Sequence, residues 1–119
     1  MREKVIMAAL SFFVYIFEKR GGYMNESVFQ RNLIIDLKKR FEGCVVIKND
    51  ASYIQGVPDL IILYGNKWAA LECKQRMNAK RRPNQEYYVG ALGKMSFARF
   101  ICPENKEEIL SELQQAFLS

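Results

Sequence analysis

Apolar positions recur along this chain with two different periods. From Asn25 onward, Phe29, Leu33, Leu37 and Phe41 return every fourth residue, the spacing of a helix with one buried stripe. Asn25 suits the N-cap, and Glu26 puts an acid in the first turn, where the helix dipole favours it. Glu26 and Gln30 extend the same stripe. Glu26 is therefore either a solvated end of that face or an acid aimed into a site. Gly43 marks the end of the helix. Short apolar runs follow: a strand over Cys44–Lys48, a loop over Asn49–Gly56, and two strands within residues 59–74 joined by Gly65-Asn66. Their unbroken apolar character predicts strands covered on both faces. Residues 75–82 read as a polar loop. Pro83 opens a second helix to about Leu92, broken by Gly93. Phe97–Cys102 predicts a last strand and Glu104–Phe117 a terminal helix, with Ile109, Leu110, Leu113, Phe117 and Leu118 on one side. The order is α-β-β-β-α-β-α, an α/β domain with no repeat and no second domain.

Residues 1–23 stand apart from this domain, which occupies 24–119. Thirteen largely apolar residues, Val5–Phe17, follow a basic start. They are too few for a transmembrane helix, which needs about 20, so no stable membrane insertion is expected. A signal-peptide core would suit the length, but no small-x-small cleavage site follows. Three readings remain: an extra helix covering the domain or a partner, a peripheral membrane anchor, and a translated leader. The leader reading rests on Lys19-Arg20-Gly21-Gly22 ahead of Met24, which a purine-rich run like a bacterial ribosome-binding site can encode.

The hairpin changes the picture from fold to chemistry. A two-residue turn fixes the register of its strands. With Tyr64 opposite Lys67, counting back brings Asp59 opposite Glu72. Facing residues have Cβ atoms roughly 4.5–5.5 Å apart, a separation at which two carboxylates can share one cation. Lys74, two residues past Glu72, falls on the same face. Singly, each has a bland reading: Asp59 after Pro58 closes a turn, and Glu72 with Lys74 is an exposed strand-end pair. Together they place three charges on strands written for burial, and unpaired buried charge is costly. A compensating ion or substrate is expected. A one-residue slip would send Asp59 to the opposite face.

Composition narrows the chemistry further. The 119 residues include no histidine, which excludes Ser-His-Asp and Cys-His catalysis and a histidine base. Cys44, Cys73 and Cys102 form no Cys-x-x-Cys pair and argue neither a zinc ribbon nor a disulfide framework. Free thiols fit a reducing cytoplasm. The net charge of +5 suits a polyanionic partner. Lys74, Arg76, Lys80, Arg81 and Arg82 fall within nine residues that contain no acid, either as a solvated loop or as a clamp on phosphates beside the hairpin's end. Tyr53, Tyr87 and Tyr88 either stack or pack; the sequence does not choose.

Pro58-Asp59 with Glu72-x-Lys74 resembles the PD-(D/E)XK nuclease superfamily. The fuller pattern is similar to its VRR-NUC branch: a helix acid at Glu26, Gly56-x-Pro58-Asp59-Leu60, Glu72-x-Lys74, and Gln85 on the following helix. The resemblance spans residues 25–102. It implies a single compact restriction-endonuclease-like domain with a mixed central sheet flanked by helices. It implies Mg²⁺ or Mn²⁺ held by Asp59, Glu72, the main-chain carbonyl of Cys73 and Glu26. Lys74 would act on the attacking water or on the transition state, and Gln85 would orient Lys74 or a phosphate. Arg76, Lys80, Arg81, Arg82 and Lys48 are the candidate DNA contacts. The implied activity is divalent-metal-dependent, structure-selective DNA cleavage leaving 5′-phosphate and 3′-hydroxyl ends, in the cytoplasm of a bacterial host cell. The stand-alone phage and bacterial members suggest a homodimeric Holliday junction resolvase, with Val28, Ile35 and the N-terminal segment as candidate interface. A flap- or single-strand-preferring nuclease and a non-catalytic nucleic-acid-binding module are the alternatives.

Overall fold

A computed structural model describes residues 25–119 apart from Ala51. The boundary at residue 23, and the helix, anchor and leader readings of residues 1–23, lie outside the described residues. The elements are α1 (Glu26–Arg40), β1 (Val45–Lys48), β2 (Leu60–Tyr64), β3 (Lys67–Cys73), α2 (Pro83–Met95), β4 (Phe97–Ile101) and α3 (Lys106–Leu118). Their order is the expected one.

Local chemistry starts α1 where the sequence places it. Asn25 Oδ1 accepts the Val28 N–H at 2.9 Å, satisfying one of the free donors of the first turn. Phe29, Leu33, Leu37 and Phe41 are buried. The Phe41 ring packs edge-on against Tyr64 and Phe117, with centroids 5.6 and 5.1 Å away. An ion pair between Lys106 and Asp36, and another between Arg40 and Glu107 at 2.6 Å, tie α3 to α1.

The sheet runs β1-β2-β3-β4. The first three strands are antiparallel, and β4 lies parallel to β3 after the α2 crossover. Tyr64 faces Lys67 and Leu60 faces Leu71, the register the turn predicts. Gly65 takes φ +61° and Asn66 does not have positive φ, as a type II′ turn requires. Helices α1 and α3 bury the larger core against one sheet face, with Leu60, Ile62, Ala69, Leu71 and Ile101 between them. On the other face Val89 of α2 packs on Ala70 and Ala98. The result is a three-layer α/β/α restriction-endonuclease-like fold with a mixed sheet. Among the described residues no helix is long and apolar enough to cross a membrane.

Three expectations fail, each because tertiary packing overrides a local signal. Gly93 does not break α2, which runs on to Met95. A helical glycine costs about 1 kcal/mol relative to alanine, and the anchoring of Val89 and Leu92 on Ala70, Ala98 and Trp68 outweighs it. β2 is not covered on both faces. Leu63 is exposed, as are Val45 and Ile47 of β1, because α2 spans β3 and β4. Val28 packs against the main core, leaving Ile35 as the exposed member of the proposed α1 edge.

Candidate active site

The catalytic candidates gather where β2 begins and β3 ends. The β2–β3 ladder ends at Leu60 and Leu71, and Asp59 and Glu72 come next on the two arms of the hairpin. Asp59 Oδ2 accepts the Cys73 backbone N–H at 2.9 Å, and the Asp59 backbone N–H donates to the Glu72 carboxylate. Glu72 is only 3% exposed, a charged residue in the core layer. Lys74 Nζ donates to Gln85 Oε1 at 2.8 Å and stands 4.0 Å from Glu72 Oε2. Gln85 Nε2 donates to that same Glu72 oxygen at 3.2 Å. Its Oε1 also accepts the Arg82 N–H at 3.0 Å, so the first turn of α2 holds Gln85 in place. Gln85 thus bridges acid and ammonium.

The acids outnumber the cation beside them. Burial, then the neighbouring Asp59 charge, pushes the Glu72 carboxyl up to about 8, against the pull of Lys74. Burial also raises Asp59, opposed by the Cys73 N–H and by the Lys74 and Lys48 charges. Burial and Asp59 raise Glu26, which Lys74 opposes. Glu26 therefore lies within electrostatic range of the pair. Among the described residues, however, no three acidic or thiol side chains close into one ligand group. Glu26 stands with Asp59 and Lys74 close enough for their charges to act on it. The Cys73 side chain faces the α1 layer and is hydrogen-bonded with Gln30; burial and the acids raise its thiol far above the usual range. It stays protonated and offers no thiolate. Paired carboxylates offer oxygen donors, the kind that suits Mg²⁺ or Mn²⁺. Two acids that cannot comfortably ionise together fit a site completed by a cation.

That electrostatics sets a pH dependence. Glu72 binds its proton more tightly folded than unfolded, so its contribution to stability is present below its ordinary value near 4.5 and fades as pH rises through about 8. The metal-free protein should melt at lower temperature as pH rises across that interval. Glu72→Gln should flatten the dependence in calorimetric scans.

The basic residues follow directly on the end of β3. Arg76, Lys80, Arg81 and Arg82 are exposed, and among the described residues none of them is held in an ion pair with an acid. Lys74, Arg76 and Arg81 line one small surface cleft with Phe100, and the Arg81 guanidinium lies 4.1 Å above that ring. Lys48 ends β1 and is exposed close enough to influence Asp59.

No family model matches the sequence, and no curated protein matches it. A solved structure described as a VRR_NUC domain superimposes with a TM-score of 0.52 at 23% identity, spanning 66% of this chain and 90% of that one. The chain has the VRR-NUC fold.

Within the VRR-NUC fold, several contacts that position the site carry no signal in the sequence. Asn49 Nδ2 donates to the Pro58 carbonyl at 2.6 Å, and its backbone N–H donates to the Asp59 carbonyl at 2.9 Å. It braces the turn that delivers Asp59. Phe100 sits opposite Glu72 across β3 and β4. Gly56 has φ +92° and lies against Asn84 so closely that a Cβ would come within 2.8 Å of the Asn84 backbone. Only glycine meets both demands. Gly56→Ala should therefore destabilise the fold by more than about 1 kcal/mol, read by chemical denaturation. No spacing pattern announces Asn49 or the Asn84 approach, because each partner comes from a distant segment.

Proposed function

We propose that this protein is a divalent-metal-dependent nuclease of the VRR-NUC branch of the PD-(D/E)XK superfamily, cutting phosphodiester bonds in structured DNA. The observation that carries this reading is the buried Glu72 opposite Asp59, with Lys74 and Gln85 on the same carboxylate. Asp59, Glu72 and the Cys73 carbonyl would hold the cation, with Glu26 helping to hold it or its water. Bound there, Mg²⁺ or Mn²⁺ supplies charge to a phosphate oxygen and acidity to a water. Lys74 orients that water or stabilises the charge that builds on phosphorus as the bond breaks. Gln85 holds the ammonium in place and donates to Glu72, so both keep one geometry as substrate enters.

The basic loop supports DNA as the polyanion. Among the described residues Arg76, Lys80, Arg81 and Arg82 are in no ion pair with an acid, and following directly on Lys74 they would grip phosphates whatever the base sequence. Replacing Arg81 and Arg82 with alanine should weaken binding of duplex and branched DNA alike. The slope of log affinity against log salt should become shallower by about 1 for each phosphate that an arginine had neutralised. The small basic domain suits recognition of DNA shape, and a homodimer resolving four-way junctions is the form we favour. Purified protein offered duplex, flap, single-stranded and four-way-junction DNA with Mg²⁺ or Mn²⁺ tests the proposal. Cleavage that needs the cation and favours the junction is expected. Binding without cleavage under all these conditions would leave a nucleic-acid-binding module instead.

A further inference from the structure

One arginine of the basic loop is held in place by an aromatic ring. The Arg81 guanidinium lies over Phe100, 4.1 Å from the ring centroid. Among the described residues, no other cation of the loop (Arg76, Lys80 or Arg82) is seated on a ring. Phe100 is itself fixed, because it packs on the Ala70, Val89 and Ala98 cluster under α2. It also pairs in register with Glu72 on the neighbouring strand. Register partners present their side chains to the same sheet face, so ring and carboxylate stand side by side. Lys74, 4.0 Å from that carboxylate, lines one cleft with Arg81 and Phe100. The loop is tied down around them. The Lys74 N–H donates to the Ile101 carbonyl at 2.8 Å and the Met77 N–H to Glu104 Oε2 at 2.6 Å. The Arg82 N–H donates to Gln85 Oε1 at 3.0 Å.

The ring gives the arginine a direction. A guanidinium lying over a ring keeps the N–H groups along its edge free to donate, and their planar fork matches a phosphate. Arg81 is exposed and, among the described residues, in no ion pair with an acid, so its charge is available. Its seat lies one strand to the side of Glu72. We propose that Phe100 seats Arg81 so that its guanidinium grips one DNA phosphate flanking the bond cut at Asp59 and Glu72. Phe100 is then a positioning residue that acts through Arg81. This rests on the nuclease reading and separates Arg81 from the general attraction its neighbours exert on DNA. A cation on a loose side chain samples many phosphates, whereas a seated one meets a single phosphate and sets where the strand lies over the acids.

The test compares wild type, Arg81→Ala, Phe100→Leu and Phe100→Tyr. Binding is measured with Ca²⁺ in place of Mn²⁺ on a series of four-way junctions, each carrying one neutral methylphosphonate near the branch. Cleavage of the unmodified junction with Mn²⁺ is followed separately and locates the cut. Wild type is expected to lose about tenfold in affinity at one position beside the cut. Arg81→Ala should be indifferent at that position and still respond at others. Phe100→Leu keeps the charge and the apolar packing but removes the ring, and it loses the same response. Phe100→Tyr keeps it. Mere damage to the loop would lower affinity and leave the profile across positions unchanged. That outcome in Arg81→Ala, with cleavage by wild type, overturns the proposal alone. A response lost in Arg81→Ala but kept in Phe100→Leu overturns the role of Phe100. A one-position response that needs Arg81, without cleavage by wild type, overturns the nuclease reading and leaves the phosphate grip standing. Wild type that binds no junction overturns both.

Discussion

Asp59→Asn should lower cation-dependent cleavage by about a hundredfold or more while leaving the fold intact. The asparagine oxygen still accepts the Cys73 N–H that Asp59 Oδ2 now takes at 2.9 Å. Alanine would leave that half-buried donor without its acceptor, at a cost of about 1–3 kcal/mol. The amide also removes one of the two charges that oppose each other across the hairpin. Glu72 then ionises more readily, and the metal-free variant should melt no lower than wild type above neutral pH. Single-turnover cleavage beside thermal melts separates the two effects. Loss of activity accompanied by loss of fold would reduce Asp59 to a structural turn residue.

Lys74→Met should cost about a hundred- to a thousandfold in cleavage, the range found when one stabilising donor is removed from a developing charge. Methionine keeps the length and apolar stem of lysine beside Gln85 but not the charge. Lys74 holds down the proton affinities of Asp59, Glu72 and Glu26. Without it the carboxyls need higher pH to ionise and take a cation. Raising the pH should therefore restore Mn²⁺ binding, followed by calorimetry, without restoring cleavage. Lys74→Arg should not rescue activity, because a planar guanidinium cannot take the compact position between Gln85 Oε1 and Glu72. Recovery of cleavage along with Mn²⁺ binding at high pH would show that Lys74 only tunes the acids.

Much of the fold was legible because its signals are local. The stripe from Phe29 to Phe41, the Asn25 cap and the Gly65-Asn66 turn each act within a few residues, and the turn carries its register as far as Leu60 and Leu71, next to Asp59 and Glu72. Gln85 and its hold on Lys74 were anticipated from the resemblance, but its bond to Glu72 was not, since that link exists only once α2 crosses the sheet. Gly93 misled because a helix-breaking tendency of about 1 kcal/mol is smaller than the packing of its neighbours. The open face of β1 and β2 was hidden because an apolar strand reads the same whether or not a helix lies over it. The α1 stripe points Glu26 toward the acids, and its charge interacts with Asp59 and Lys74 in the folded chain.

The most direct measurement is the anomalous diffraction of crystals soaked in Mn²⁺, collected without DNA. A peak between the Asp59 and Glu72 carboxylates, close to the Cys73 carbonyl and absent in crystals of Asp59→Asn, is the result expected. Manganese bound elsewhere on the domain, with Asp59 still on the Cys73 N–H and Glu72 still on Gln85, would contradict a metal-dependent nuclease centred on this pair.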